Sequence, residues 1–309
     1  MSFDFASITT PFRMQPGLRR LAVGTPQLTP NQPGDRALRE KLAVLGAYAP
    51  QALLSTPNFD ASPALQALSA QAEREHPGAW SAAAKHAHLL GWSLQGHEPQ
   101  QHSDVQPEVG ACLRALLPEW RLTALLCLAF AEDFAIIDGN TAHIPWLAVC
   151  LPSGWAPEEK IGHHFSQVHS PVADNQMLLT ASDHLARLVT GTDRWERFVW
   201  TITRHPRLHA HPARQDPAPW PADATPEQLA QRAFFRTEHQ TFIPLPNLRQ
   251  AVFTIHVNLQ PLTEALPSAA HTQQVHDALA SMSPAVLAYR GLTDARDRLL
   301  AWLAAQMTA

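Results

Sequence analysis

Lysine is nearly missing from this sequence. Among 309 residues it occurs only at Lys41, Lys85 and Lys160, and arginine brings the basic total to 23 against 27 Asp and Glu, a formal charge of −4. Without a basic excess or a polybasic run, the chain lacks the clustered cations from which nucleic-acid binders draw their affinity. Cysteine is equally scarce. Cys112, Cys127 and Cys150 form no CxxC pair, and an odd, widely spaced set in a long chain does not make a disulfide framework, so a reducing, cytoplasmic setting is expected. The longest apolar run, Leu122 to Ala131, is too short to cross about 30 Å of hydrocarbon as a helix, and no membrane association is read. The first ten residues lack a basic stretch followed by an apolar one, so no secretory signal is read either. Dinucleotide, P-loop, zincin and serine-hydrolase patterns are all absent. So are a c-type haem attachment sequence and a cysteine cluster for an iron–sulfur centre.

What is present is aromatic and imidazole. Nine Trp, twelve Phe and a 45% apolar fraction suffice for a core, which argues against disorder. The length allows one large domain or two; no clear linker is visible, and one unit over 1–309 is expected. Seventeen histidines are the anomaly.

The pattern along the chain predicts an α+β fold. After a Pro-rich extended arm, Asp35 to Leu54 and Pro63 to Ala84 carry apolar residues at helical spacing, with Pro77 interrupting the second, so a helical layer is expected over about 1–120. From about 121 to 262 the texture favours an antiparallel sheet. Asp138-Gly139-Asn140 between apolar runs signals a hairpin; Trp195 to Thr203, Phe234 to Ile243 and Ala251 to Val257 read as strands. Pro157 to Val168 and Asp174 to Val189 read as interposed helices, and His205 to Thr225, rich in proline, as an exposed loop. Leu/Ala periodicity over 263–309 predicts two or three helices, the last with Thr293 or Asp294 as N-cap.

Several residues could carry chemistry. His205, His209 and His211 lie close enough in sequence to hold a metal, although a solvated loop explains them more simply. His163 and His164 fall at an expected helix end, where a surface role is simplest. His169 is different: a helix precedes it and Ser170-Pro171 stops that helix at once, a setting that can aim an imidazole rigidly. Arg236, Glu238 and Gln240 alternate in a strand and so share one face. That face is either solvated or a pocket wall, with Arg236 fixing an anion and Glu238 holding a cation or moving a proton.

Together these segments resemble a known family. Glu132-Asp133, then Val149-Cys150-Leu151-Pro152-Ser153-Gly154-Trp155, Pro157, Lys160, Gly162 and Val168-His169-Ser170-Pro171-Val172 are similar to the haem-dependent oxidative N-demethylase family, haem-binding alpha subunit. Arg197 with Trp200, Phe235 to Thr241 with Leu245-Pro246, and Val252 to Ile255 agree in order, as do Pro11 to Met14 with Gly17-Leu18 near the start.

The resemblance implies a PAS-like antiparallel sheet holding haem b, with N-terminal and C-terminal helices packed around it. It implies a monooxygenase that oxidises a small amine such as dimethylamine with dioxygen and releases formaldehyde. Electrons would come from NADPH through flavin and iron–sulfur components of a partner reductase; a dinucleotide fingerprint and a cysteine cluster are both missing from this chain. Carried over residue by residue, His169 becomes the axial haem ligand and the metal-binding residue. Lys160, Arg197 and Arg236 would pair with the haem propionates, and Glu238 and Trp200 would line the substrate pocket. Cys150 is a rival ligand but reads as a core residue within an apparent strand. A haem-based gas sensor is the alternative of a different class, and a divergent haem enzyme acting on another substrate is a third. The chain departs from the family's pattern at Val199, where Asn is expected, and at His239 and His256, where Arg is expected, which points to a changed substrate.

Overall fold

A computed structural model of the chain describes residues 3–307. An extended arm supplies the two-residue strand β1 (Arg19–Arg20), and helix α1 (Arg36–Ala52) follows where the spacing predicts it. Leu38, Val44 and Leu45 face inward from α1, and so does Lys41, which is fully buried. Its ammonium donates to Phe130 O at 3.1 Å and Glu132 O at 2.5 Å and pairs with Asp133 at 3.2 Å. Burial opposes the charge on Lys41, but Asp133, with Cys127, Cys150 and Glu132 acting in the same direction, outweighs it, so its pKa lies above the ordinary lysine value. Strand β2 (Leu53–Ser55) and helix α2 (Ser62–Glu75) come next.

The expected helical layer then breaks. Residues 80–101 form a separate four-stranded antiparallel sheet of β3 (Trp80–Ser81), β4 (His86–Ala87), β5 (Trp92–Gln95) and β6 (Glu98–Gln101). Gly91 and Gly96 take left-handed φ at its turns, and two buried indoles anchor it. Trp80 Nε1 donates to Ser69 Oγ at 2.9 Å and Trp92 Nε1 to Gln106 O at 2.8 Å. Helices α3 (Pro107–Ala115) and α4 (Arg121–Ala129) resume the helical pattern. The Leu122 to Ala131 run is thus mostly helix, buried from Thr123 to Ala129, as an all-round apolar helix must be.

The predicted hairpin is β7 (Asp133–Asp138) and β8 (His143–Ala148). Asp138 Oδ1 accepts from Asn140 N at 2.8 Å to form the turn. Gly139 is needed for space: a Cβ there would lie 2.0 Å from Thr190 Oγ1. The expected helix over 157–168 resolves into a turn of 3₁₀ helix, a left-handed Gly162 and the short helix α5 (Phe165–His169). His164 therefore caps the start of α5 and does not follow the close of a helix. The expected helix over 174–189 is divided at Ala181 into α6 (Gln176–Thr180) and α7 (Ser182–Val189).

Strand β9 (Trp195–Thr203) leads through an irregular segment and α8 (Pro226–Gln231) to the long hairpin of β10 (Phe234–Leu245) and β11 (Gln250–Pro261). The chain closes with α9 (Leu262–Ala265), α10 (Ala269–Ala280), α11 (Pro284–Tyr289) and α12 (Arg296–Gln306). The last helix is capped by Ala295, without a side-chain cap, and not by Thr293 or Asp294. The segment 205–225 is irregular but only partly exposed, because Leu208, Ala210, His211 and Trp220 are buried.

The architecture is α+β. The main antiparallel sheet runs β1-β9-β10-β11-β7-β8-β2. Directly paired residues share a face, so the register of β9, β10 and β11 separates two sets. One face carries Arg197, Val199 and Thr201 with Arg236, Glu238, Gln240, Ile255 and Val257. The other carries Glu196, Phe198 and Trp200 with Thr237, His239, Thr241, Thr254 and His256. The first face meets the 151–189 segment: Leu147, Val149 and Ala135 pack with Ile161 and Val168, and Phe242 and Ala251 with Phe165. Against the second face lie the arm and the terminal helices, with Trp200 and Phe235 among Val275, Leu279, Leu299 and Trp302.

Candidate functional site

The first face of the sheet and helix α5 bring four of the six predicted site residues together. Helix α5 has about one and a half turns, too short to be stable alone, and four side chains secure its ends. His164 accepts from Ser166 N while Gln167 Oε1 accepts from His164 N at 3.0 Å, a reciprocal cap at the start. At the other end Lys160 Nζ donates to Val168 O at 3.0 Å, and Asn175 Nδ2 donates to His169 O at 3.0 Å and Ser170 O at 2.8 Å. Carbonyls that a helix end leaves unpaired are thereby satisfied. Lys160 is thus spent in part on the backbone of the helix that carries His169, and burial lowers its pKa. Asn175 went unnoticed in the sequence, because nothing in a single Asn marks a helix-end donor.

His169 is oriented by Phe165, through both its carbonyl and its ring. Its Nδ1 lies 2.8 Å from Phe165 O, and its ring packs on Phe165 at 4.2 Å between centroids. A carbonyl can only accept, so Nδ1 bears the proton and Nε2 keeps its lone pair. Burial, with Arg197 and Lys160 nearby, pushes the His169 pKa down to about 4, even though the Phe165 carbonyl favours the charged form. At neutral pH the imidazole is uncharged, the form in which histidine binds metals.

Arg197 belongs to the same face, and its Nε is buried without a hydrogen-bond partner among the described residues. Burial lowers its pKa, while Glu238 acts in the other direction. Glu238 is buried, at 8% exposure, and Gln240 Nε2 donates to its Oε2. A buried guanidinium with an unsatisfied donor calls for an acceptor, and a carboxyl or phosphoryl group of a ligand would supply one.

Two residues predicted for the pocket have other settings. Trp200 pairs with Thr237 and therefore lies on the opposite face, edge-on to Phe12 at 6.1 Å and under the Arg290 guanidinium. It does not line this site. Arg236 is on the correct face, but its guanidinium is already engaged. It donates to Ser153 Oγ at 2.8 Å, Arg207 O at 3.0 Å, Leu208 O at 2.7 Å, and more weakly to Pro152 O and Leu151 O at 3.3 and 3.4 Å. It clamps two loops together, and burial pulls its pKa down to about 10, still charged at neutral pH.

The rival ligands are also accounted for. Cys150 follows β8 and is fully buried on the opposite side. A hydrogen bond with the Cys127 thiol, then burial, raise its pKa well above the ordinary thiol value, so it is no thiolate. His205, His209 and His211 turn to separate partners: His209 O, Cys150 O and Glu158 respectively. No group of three metal-ligating side chains occurs among the described residues, and no helix among them is long and apolar enough to cross a membrane.

Comparison with known families adds one finding. A family model described as haem-dependent oxidative N-demethylase, alpha subunit-like, matches residues 86–300. The match covers α5 and every strand of the main sheet except β1 and β2.

Proposed function

The chain belongs to the haem-dependent oxidative N-demethylase, alpha subunit-like family, and from this premise we propose that it binds haem b between His169 and the Glu238 face of the sheet, as one PAS-like unit. The observation that carries the reading is the His169 tautomer. An imidazole whose Nδ1–H is held by a backbone carbonyl presents an Nε2 lone pair in fixed orientation, the usual arrangement of a ligating histidine. The lone unsatisfied donor of Arg197 suits a propionate, with Lys160 beside it. Arg236 supports the loops around the group and does not touch it. When bound, haem supplies dioxygen activation and C–H hydroxylation.

The protein side chains bind and orient the substrate. A secondary amine such as dimethylamine is protonated at neutral pH, and Glu238 Oε1 accepts its N–H in a charge-assisted hydrogen bond. Gln240 holds the other carboxylate oxygen and so fixes the direction of Oε1. Burial of Glu238 keeps competing water away from this bond. The bound group would supply hydroxylation of the N-methyl carbon, and the resulting carbinolamine would collapse to amine and formaldehyde. Electrons reach the site from NADPH through the flavin and iron–sulfur groups of a partner reductase.

The test is spectroscopic first and catalytic second. The haem-reconstituted protein should show a Soret band, His169→Ala should shift or abolish it, and reductase-driven turnover should release formaldehyde from dimethylamine. A His169→Ala spectrum identical to the parent's would overturn the ligand assignment. A normal spectrum without formaldehyde from any N-methylamine would overturn the reaction.

A further inference from the structure

A second polar site lies at the outer edge of β9, apart from His169. Ile202, Thr203, Arg204, His205, Trp220 and Arg290 line a cleft of about 200 Å³. That is smaller than the roughly 300–1,000 Å³ of drug-sized pockets, so a nucleotide or a cofactor ring does not fit it. Trp220 is buried and fixed, its Nε1 donating to Gly291 O at 2.7 Å. The Arg290 guanidinium stands over the rings of Phe12 and Trp200, at 4.5 and 5.6 Å. Its hydrogen bonds go to Trp200 O at 2.6 Å and to Met14 Sδ at 3.9 Å, and neither partner carries charge.

The charge on Arg290 is therefore uncompensated. No carboxylate of the described residues pairs with it, whereas the neighbouring Arg204 is paired with Asp216 at 3.1 Å. Burial pulls the Arg290 pKa down to about 10, which leaves it cationic at neutral pH. A half-buried cation without a counter-ion is costly, and two aromatic faces offset only part of that cost. His205 also lines the cleft, but its Nε2 is spent on His209 O and gives no donor to it, and the single carboxylate in the cleft is already taken by Arg204.

We propose that this cleft binds a small oxyanion, a phosphate or a short carboxylate, held by Arg290 with Arg204 and drawn from solution. Asp216, which is exposed and competes for Arg204, limits the affinity. An occupied cleft would tie β9 to the turn between α11 and α12, since Arg290 already holds the Trp200 carbonyl.

The experiment uses the full haem-loaded chain, titrated with inorganic phosphate against chloride at matched ionic strength, read by tryptophan fluorescence and thermal unfolding. Phosphate should shift both signals saturably, and chloride should not. Charge sign then supplies the decisive comparison at an exposed position. Asp216→Asn should tighten phosphate binding by roughly two- to fivefold, and Arg204→Gln should weaken it by a similar factor. Arg290→Lys, which keeps the charge but loses the planar donor set, should weaken it further. If phosphate acts no differently from chloride, or if the Asp216 and Arg204 variants bind it with unchanged affinity, the site is refuted. If the haem-free chain binds phosphate and the haem-loaded chain does not, the cofactor's own carboxylates occupy the cleft and the free-oxyanion assignment is overturned.

Discussion

Replacing Arg236 with methionine separates two roles that the sequence left open. As a propionate partner, Arg236 would matter only to the loaded protein; as a clamp, it matters before any cofactor is bound. Three of its hydrogen bonds are short, at 2.7, 2.8 and 3.0 Å, and two are long. Removing a charged donor from a buried acceptor costs about 1.5–3 kcal/mol, and such losses are not additive where acceptors can find water. Methionine keeps the volume but leaves the carbonyls of the 151–152 and 207–208 segments without this donor. Arg236→Met should therefore destabilise the haem-free chain by about 3–5 kcal/mol. Urea unfolding followed by tryptophan fluorescence measures this directly, and Arg236→Lys, with fewer donors, should lie between. A loss below about 1 kcal/mol in the haem-free chain, joined to a tenfold fall in haem affinity, would refute the clamp and restore the propionate role.

Lys41→Met should cost about 3–5 kcal/mol by leaving Asp133 charged and unpaired in the core, and Lys41→Met with Asp133→Asn should recover part of it in the same urea assay. In the haem-free chain the His169 pKa is about 4 in the fold and near 6.5 when unfolded. The unfolded chain then binds the proton first, so this group's contribution to stability is intact above pH 6.5 and lost as pH falls toward 4. The loss is at most about 3 kcal/mol, and nearer 2 because the ring keeps some solvent contact. His169→Gln should flatten that part of the stability profile, and an unchanged slope would contradict the burial of a neutral imidazole. Glu238→Gln should raise KM for a protonated amine at least tenfold, as expected for one charge-assisted hydrogen bond lost, while the haem spectrum stays as it was.

Local patterns in the sequence translated well where one segment decides its own geometry. Period-two spacing correctly put Arg236, Glu238 and Gln240 on one face, and the abrupt stop after His169 correctly marked the end of a helix. Trp200 was misplaced because its face depends on the parity of β9 relative to β10, a long-range register that no single strand encodes. The clamp that Arg236 forms was illegible for a related reason: its acceptors are mostly carbonyls of distant loops, and any residue type supplies those. The small sheet over 80–101 escaped notice because strands of two to four residues leave no periodicity to count. Lys41 was passed over since a lone lysine in a helical pattern reads as surface; only the assembled core shows three oxygen partners and no solvent.

The same register recasts the three departures from the family's pattern. His239 and His256 lie on the face away from His169. His239 Nε2 is 2.7 Å from Glu196, which Arg19 of the arm also binds at 2.8 Å, and His256 Nδ1 is 2.8 Å from Glu132, which accepts from Thr29 N. Both histidines thus belong to the seam that docks the N-terminal arm, where an imidazole in place of a longer guanidinium changes how the arm is held. Val199 is the exception, since it pairs directly with Glu238 on the site face. An aliphatic side chain there offers no hydrogen bond where the pattern expects an amide, and it puts a methyl surface beside the carboxylate proposed to hold the amine. Any change of substrate in this chain is therefore to be sought beside Glu238, and the histidine departures bear on the arm instead.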